Sequence, residues 1–217
     1  MDLSVAREQM IGHQLRAWDI ADPRVLDVMA SVPRQDFVPP AYRNLAFADM
    51  AIPIGHGQEM LAPKIQGRLL QALELTPGDE ILDVGTGTGF LAACLANLGG
   101  QVTSVDIYED FTEQARKHLA TGGVHGVRLI TGDIFESQLT RRFDAIAVTG
   151  SLPVYPEAFE AWLKPSGRMF CFVGTAPLME AVLVRKGPEG TAARREPVFE
   201  TLAPALENAP AGKTFNF

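Results

Sequence analysis

Two cysteines in 217 residues are too few for a disulfide framework. Both Cys94 and Cys171 stand inside apolar runs, which suits small core residues in a reducing, cytoplasmic setting. Every apolar stretch is broken by Gly, Pro or charge before the ~18–20 residues that a membrane span requires. The opening segment Met1 to Glu8 lacks the charged-then-apolar order of a secretory signal. Positive charge is scarce, with 19 Lys and Arg against 26 Asp and Glu and a net charge of −7. Phosphate binding demands a basic surface, so neither a nucleic-acid nor a membrane partner is expected. The basic pairs Arg141-Arg142 and Arg194-Arg195 read as solvated residues beside strands. His13, His56, His118 and His125 are scattered without ligand spacing, so no metal site is expected.

What is present is apolar bulk, 47% of the chain, enough for a large core. The length fits one domain of residues 1–217, with N-terminal helices and a lid-like loop over 1–63, a Rossmann-like core over 64–203 and a tail over 204–217. Ala6, Met10, Ile11 and Leu15 recur at helical spacing, predicting an amphipathic helix over 4–18 that Ser4 can cap. Asp22-Pro23 opens a second helix in cap-then-proline order, and it stops before Pro33. Residues 33–63, with five prolines, read as loop. A third helix over about 64–75 leads into the core.

From there strand and helix alternate. Strands are predicted near 80–84, 102–106, 127–131, 143–149 and 168–173, and helices near 89–98, 109–120 and 155–163. Two alternating segments, Ala181 to Arg185 and Glu196 to Leu202, read as an antiparallel hairpin joined across Gly187-Pro-Glu-Gly190. The expected fold is α/β: a doubly wound, mostly parallel seven-stranded sheet with that hairpin at its edge. The tail from Pro204 onward shows no clear element, and its Phe215 and Phe217 are candidates to dock on the body.

The most informative stretch is Glu80-Ile-Leu-Asp83-Val-Gly85-Thr86-Gly87-Thr-Gly89-Phe90, followed 23 positions after Asp83 by Asp106. An apolar strand, a glycine turn, an apolar helix and a second strand ending in a carboxylate form a grip for a nucleoside cofactor. Glycine serves where a Cβ would collide with the ligand. Ionised Asp106 is acceptor-only and matches the two donors of a ribose diol, with Ile107 beside it. A dinucleotide fingerprint reads G-x-G-x-x-G. Here the glycines fall at G-x-G-x-G, and Phe90 occupies the third dinucleotide position. Asp83 would repel a pyrophosphate but attract the ammonium of an amino-acid cofactor. S-adenosylmethionine carries that ammonium, a ribose and an adenine, so it is the expected cofactor over a nicotinamide.

Ligands in such sheets lie at the carboxyl ends of the strands, where strand order reverses. Asp133, with Ile134, follows the third strand and suits the adenine amino group, or else simply caps the next segment. Thr149 after the fourth strand would line the floor beneath the sulfonium methyl.

Further strings carry a family likeness. Gln9-Met10, Gln14-Leu15 and Asp22-Pro-Arg-Val-Leu26 open the chain. Val32-Pro-Arg-Gln-Asp-Phe-Val-Pro39 follows, then Ala51-Ile-Pro-Ile-Gly-His56-Gly57-Gln58. Phe143 to Thr149, Leu163 to Arg168, and Val173-Gly174 come later. Together and in order, from about Ala6 to Gly174, these resemble the protein-L-isoaspartate O-methyltransferases. The resemblance implies a cytoplasmic enzyme that moves the methyl of S-adenosylmethionine onto the α-carboxylate of isoaspartyl residues in damaged proteins. The ester then closes to a succinimide, which reopens partly to aspartate. A carboxylate is already nucleophilic at neutral pH, so alignment and water exclusion would supply the catalysis.

One segment departs from that pattern. The family follows G-Q with T-I-S-x-P or S-I-S-x-P, whose last hydroxyl lies beside the acceptor. Here the substrate loop reads His56-Gly57-Gln58-Glu59-Met60-Leu61-Ala62-Pro63, with Leu61 in the serine slot and Glu59 in place of the first hydroxyl. Leucine cannot donate a hydrogen bond, so no catalytic side chain is assigned. A milder departure is Gly132-Asp133-Ile134 where G-D-G is expected. Three readings stay open: an isoaspartyl methyltransferase, the same fold and cofactor with a different acceptor such as a small molecule, or a cofactor-binding regulatory protein without catalysis.

Overall fold

A computed structural model describes residues 2–137, 139–188 and 191–211. Its centre is a seven-stranded sheet in the order β5-β4-β3-β6-β7-β8-β9. The strands are β3 (Glu80–Val84), β4 (Gln101–Asp106), β5 (Val127–Thr131), β6 (Phe143–Leu152), β7 (Leu163–Thr175), β8 (Leu178–Arg185) and β9 (Arg194–Thr201). Strands β3 to β7 pair in parallel, while β8 and β9 add in antiparallel. The β8–β9 hairpin lies at the edge as the alternation predicts, although part of the turn named above, Glu189-Gly190, lies outside the described residues.

Side chains alternate across the sheet and feed two cores. Ile81, Ala145, Ala147, Phe170 and Phe172 face one; Leu82, Val84, Ile146, Val148, Met169 and Cys171 face the other. Burial on both faces explains why these strands read as near-continuous apolar runs. The first core also takes α2 (Pro23–Ser31), α3 (Pro63–Ala72) and α4 (Phe90–Asn97); α5 (Glu109–Thr121) packs on β4 and β5. The other core receives α6 (Glu157–Ala161) through Phe159. Among the described residues no helix fills the connection from β5 to β6.

Several local expectations change. The helix expected over 4–18 is α1 (Leu3–Gln9) followed by a π-helical stretch, Met10–Leu15, and Asp2 rather than Ser4 caps it. Closing each turn over five residues brings Met10 and Leu15 onto one side, and both are fully buried. Residues 33–63 are more ordered than loop. They hold 3₁₀ turns at Arg34–Asp36 and Pro40–Leu45 and a small antiparallel pair, β1 (Ile52–Gly55) with β2 (Gln58–Met60). His56 and Gly57 form its two-residue turn with φ of 51° and 70°, the left-handed geometry that twists two strands together.

The tail holds the largest surprise. Pro204 to Ala209 crosses back over the carboxyl ends of the strands, and Ala205 makes a parallel bridge with Ser151. The Ser151 N–H donates to the Pro204 carbonyl at 2.8 Å, and the Leu206 N–H donates to the Ser151 carbonyl at 3.0 Å. Residues 212–217, with Phe215 and Phe217, lie outside the described residues.

Candidate active site

The glycine turn between β3 and α4 sets the geometry of the crevice. Gly85, Gly87 and Gly89 have φ of 95°, 50° and 85°, values that side chains with a Cβ rarely adopt. A Cβ on Gly85 would lie 2.2 Å from Thr149 Oγ1, and one on Gly89 would lie 2.9 Å from the Ala115 Cβ. Gly89 therefore starts α4 in contact with α5. Gly85 lets the turn lie against β6, where the Thr149 hydroxyl donates to the Val84 and Gly85 carbonyls at 3.0 and 2.9 Å.

Asp106 closes β4 and is held by the turn it faces. One carboxylate oxygen accepts the Gly87 N–H at 2.8 Å and the other the Tyr108 N–H at 3.0 Å. Each oxygen keeps lone pairs toward the crevice, the geometry a cis-diol needs. Burial raises the Asp106 pKa, and the two N–H groups act against that rise.

Asp83 sits elsewhere. It is wholly buried on the sheet face that α4 covers and is absent from the crevice wall. Ser104 donates to its Oδ2 at 2.7 Å and accepts from the Thr86 hydroxyl at 2.6 Å. Its Oδ1 has no partner, and burial pushes its pKa up to about 7. Asp83 and Thr86 thus brace the turn from behind, leaving one carboxylate oxygen unsatisfied directly beneath it.

Of the remaining expected residues, Ile107, Asp133, Ile134, Thr149, Gln58 and Glu59 line the crevice together with Gly85, Gly87 and Asp106. Asp133 accepts the Phe135 N–H at 2.8 Å and the Asn208 amide at 2.8 Å. Met60 and Leu61 point into the core, at 4% and 5% exposure, and do not line it. The Leu61 carbonyl is held at 2.8 Å by Arg34, a fully buried guanidinium. Arg34 also binds the Ala46 carbonyl at 2.7 Å, reaches Gln66 and lies 4.9 Å over the Phe90 ring. Burial lowers its pKa to about 9, so it stays a cation at neutral pH.

The β1–β2 hairpin and the tail form the roof. Gln58 donates to the Ala205 carbonyl at 3.1 Å and ties one to the other. The His56 ring stacks on Tyr108 at 4.0 Å between centroids, and its Nε2 lies 2.9 Å from Asp110 Oδ2. The Tyr108 hydroxyl donates to Glu207 at 3.0 Å. The sequence reading missed Ile54, Tyr108, Phe111 and the tail residues Pro204, Leu206 and Glu207, all on the crevice wall. One signal for the tail exists in Gly150: a Cβ there would lie 2.7 Å from the Leu206 side chain. Among the described residues no group of three metal-ligating side chains comes together, and no helix is long and apolar enough to cross a membrane.

The sheet order, the glycine turn after the central strand and the carboxylate ending the neighbouring strand define the class I S-adenosylmethionine-dependent methyltransferase fold. The same architecture occurs in a Plasmodium falciparum chain described as a protein-L-isoaspartate O-methyltransferase, solved with S-adenosyl-L-homocysteine. That chain is 19% identical, with a TM-score of 0.79 over 93% of this chain and 98% of that one. A second solved protein-L-isoaspartate O-methyltransferase gives a TM-score of 0.81 at 20% identity, over 94% of this chain and 67% of that one. In sequence, the model of the protein-L-isoaspartate(D-aspartate) O-methyltransferase family matches residues 6–198. The protein-L-isoaspartate O-methyltransferase of Aeropyrum pernix is 36% identical over 93% of this chain and 79% of its own length. Those of Koribacter versatilis and Methylorubrum extorquens are 40% and 42% identical, over 83% and 80% of this chain and 82% and 76% of theirs. The chain belongs to the protein-L-isoaspartate(D-aspartate) O-methyltransferase family.

Proposed function

We propose that this protein binds S-adenosylmethionine in the crevice and transfers its methyl to the α-carboxylate of isoaspartyl residues in damaged proteins. The observation that carries this reading is the reach of the family match. It begins at residue 6 and takes in the N-terminal helices and the β1–β2 hairpin, the acceptor side of the crevice, as well as the cofactor turn.

The residues present suit the cofactor. Asp106 has lone pairs free for the ribose diol, the positive-φ glycines leave backbone exposed to the ligand, and Asp133 stands where an adenine amino group needs an acceptor. The unsatisfied Oδ1 of Asp83 leaves a hydrogen-bond acceptor behind the turn, suited to an ammonium reached through the backbone layer or a water. Bound, the cofactor supplies an electrophilic methyl on a sulfonium leaving group. The chain's own part is to align and to dry the site. The Thr149 hydroxyl fixes the turn, the hairpin and tail cover the crevice, and Arg34 fixes the backbone at Leu61 next to the acceptor strand. Alignment of an already ionised carboxylate is worth several kcal/mol, so no general base is required.

A second reading keeps fold and cofactor but changes the acceptor. It is favoured by Leu61, which has no hydroxyl, is buried away from the crevice and has its carbonyl taken by Arg34, and by the carboxylate of Glu59 on the crevice wall. One experiment separates the two. Purified protein with methyl-labelled S-adenosylmethionine is given an isoaspartyl peptide and its aspartyl twin. Base-labile label on the isoaspartyl peptide alone is expected. Tight cofactor binding with no label on either peptide would overturn the isoaspartyl reading and leave a changed acceptor or a non-catalytic binder.

A further inference from the structure

The walls of the crevice carry four carboxylates, from Glu59, Asp106, Asp133 and Glu207, and no Lys, Arg or His among the described residues. Three of the four are engaged. Asp106 accepts two backbone N–H groups, Asp133 accepts one backbone and one amide N–H, and Glu207 accepts the Tyr108 hydroxyl. Glu59 differs. It is exposed on β2, and its side chain makes no hydrogen bond or ion pair among the described residues. Its neighbours along the strand are fixed: Gln58 is tied to the tail, and Met60 is buried in the core. The period-two alternation of a strand then holds Glu59 at the rim of the crevice.

We infer that Glu59 is a specificity-determining residue, selecting polypeptide acceptors that carry a positive side chain next to the group to be methylated and rejecting acidic ones. The inference rests on the proposed transfer to a peptide acceptor. An isoaspartyl carboxylate brought to this rim meets only negative fixed charge, so a Lys or Arg beside it offsets the repulsion. An Asp or Glu there adds to it. At a half-open rim two unit charges a few ångströms apart interact by about 1 kcal/mol, and reversing the sign of the flanking charge doubles the contrast to roughly tenfold or more.

The test uses two isoaspartyl peptides of one sequence, flanked by Lys in one and by Glu in the other, with the wild-type chain and with Glu59→Gln. The wild type should favour the Lys-flanked peptide by roughly tenfold in kcat/KM at low salt, with the ratio shrinking as salt is raised. Glu59→Gln should bring the ratio near one, and Glu59→Lys should reverse it. Equal rates for the two peptides, or a preference that survives Glu59→Gln, would overturn the inference. If neither peptide is methylated, the isoaspartyl reading fails first. The same comparison is then made as dissociation constants with S-adenosylhomocysteine present. Tighter binding of the Lys-flanked peptide that Glu59→Gln abolishes supports the role of Glu59; equal binding, or none, overturns it.

Discussion

The floor and the roof of the crevice are built in opposite ways. The floor comes from one stretch of chain, Asp83 to Asp106, and is held by backbone hydrogen bonds inside a packed core. The Gly85 N–H donates to the Val105 carbonyl at 2.9 Å, the Gly87 N–H reaches Asp106, and Thr149 locks the turn onto β6. The roof brings together residues 52–60 and 203–209, some 150 positions apart, and Gln58 joins the two at Ala205. Exposed side-chain contacts of His56, Glu207 and Asn208 tie them to Asp110, Tyr108 and Asp133, and the tail alone adds backbone bonds to Ser151. Exposed pairs contribute little, roughly 0–1 kcal/mol each, whereas a floor group left without its partner costs about 1–3 kcal/mol. A change of acceptor on the roof is therefore cheap in stability, and a change of cofactor in the floor is not. The two larger departures from the family pattern, Glu59 and Leu61, fall on the roof side and on the segment that supports it, while the milder one, Ile134, lies on the crevice wall beside Asp133.

The sharpest way to break this division is at Arg34, which spans it. Its guanidinium holds the Leu61 carbonyl below the hairpin and covers Phe90, the first residue after the glycine turn. Arg34→Met orphans three buried acceptors and should cost roughly 3–5 kcal/mol of unfolding free energy in denaturant titrations. Arg34→Lys keeps the charge without the planar fork and should recover only part of it. A loss below about 1 kcal/mol would show that roof and floor are not joined there.

A pH effect of comparable size comes from the floor alone. The folded pKa of Asp83 is about 7, above the ordinary 3.8, so the folded state binds its proton more tightly than the unfolded chain. Stability from this group is therefore fully present below pH ~4 and is lost as pH rises through about 7, by up to ~4 kcal/mol. Asp83→Asn should flatten the decline in urea midpoint between about pH 4 and pH 7. An unchanged slope would mean that Asp83 is ionised throughout.

Asp106→Asn addresses the cofactor more narrowly. A charge-assisted hydrogen bond contributes about 1.5–3 kcal/mol, so calorimetry with S-adenosylhomocysteine should show affinity reduced by about 10- to 100-fold. Isoaspartyl turnover at saturating cofactor should fall much less, and an equal fall would place Asp106 in the chemistry itself.

The same division decides what was legible in the sequence. The floor was readable because glycines at positive φ and a strand-ending carboxylate are local requirements, satisfied within about 25 residues of one another. The strand positions and the mostly parallel sheet with its edge hairpin followed from the alternation, whereas the order of the strands across the sheet was not read. Asp83 was read as facing the ligand because its spacing was right. Its actual depth depends on the α4 helix packed over that face, and short-range spacing carries no such information. The roof was mostly invisible. The β1–β2 hairpin is only four and three residues long, hidden among prolines, and the tail's path depends on a bridge to Ser151 more than 50 residues away. The π-helical stretch was likewise masked, since its apolar residues fit an α-helical pattern almost as well.

The smallest effect tests the roof on its own terms. The exposed pair of His56 with Asp110 and the stack of His56 on Tyr108 are each worth about 1 kcal/mol or less at a solvated site. The His56 partner holds Asp110 below the usual carboxylate range. His56→Ala should therefore leave the denaturant midpoint within about 1 kcal/mol of wild type while loosening the hairpin tip over the crevice. The readout is release of S-adenosylhomocysteine by stopped flow, expected to speed up about two- to fivefold. Asp110→Asn removes the pair but leaves the stack, so it should give a smaller change, and the double variant should give no more than His56→Ala alone. A full effect of His56→Ala beside no effect of Asp110→Asn would show that the ring stack, and not the ion pair, holds the tip down.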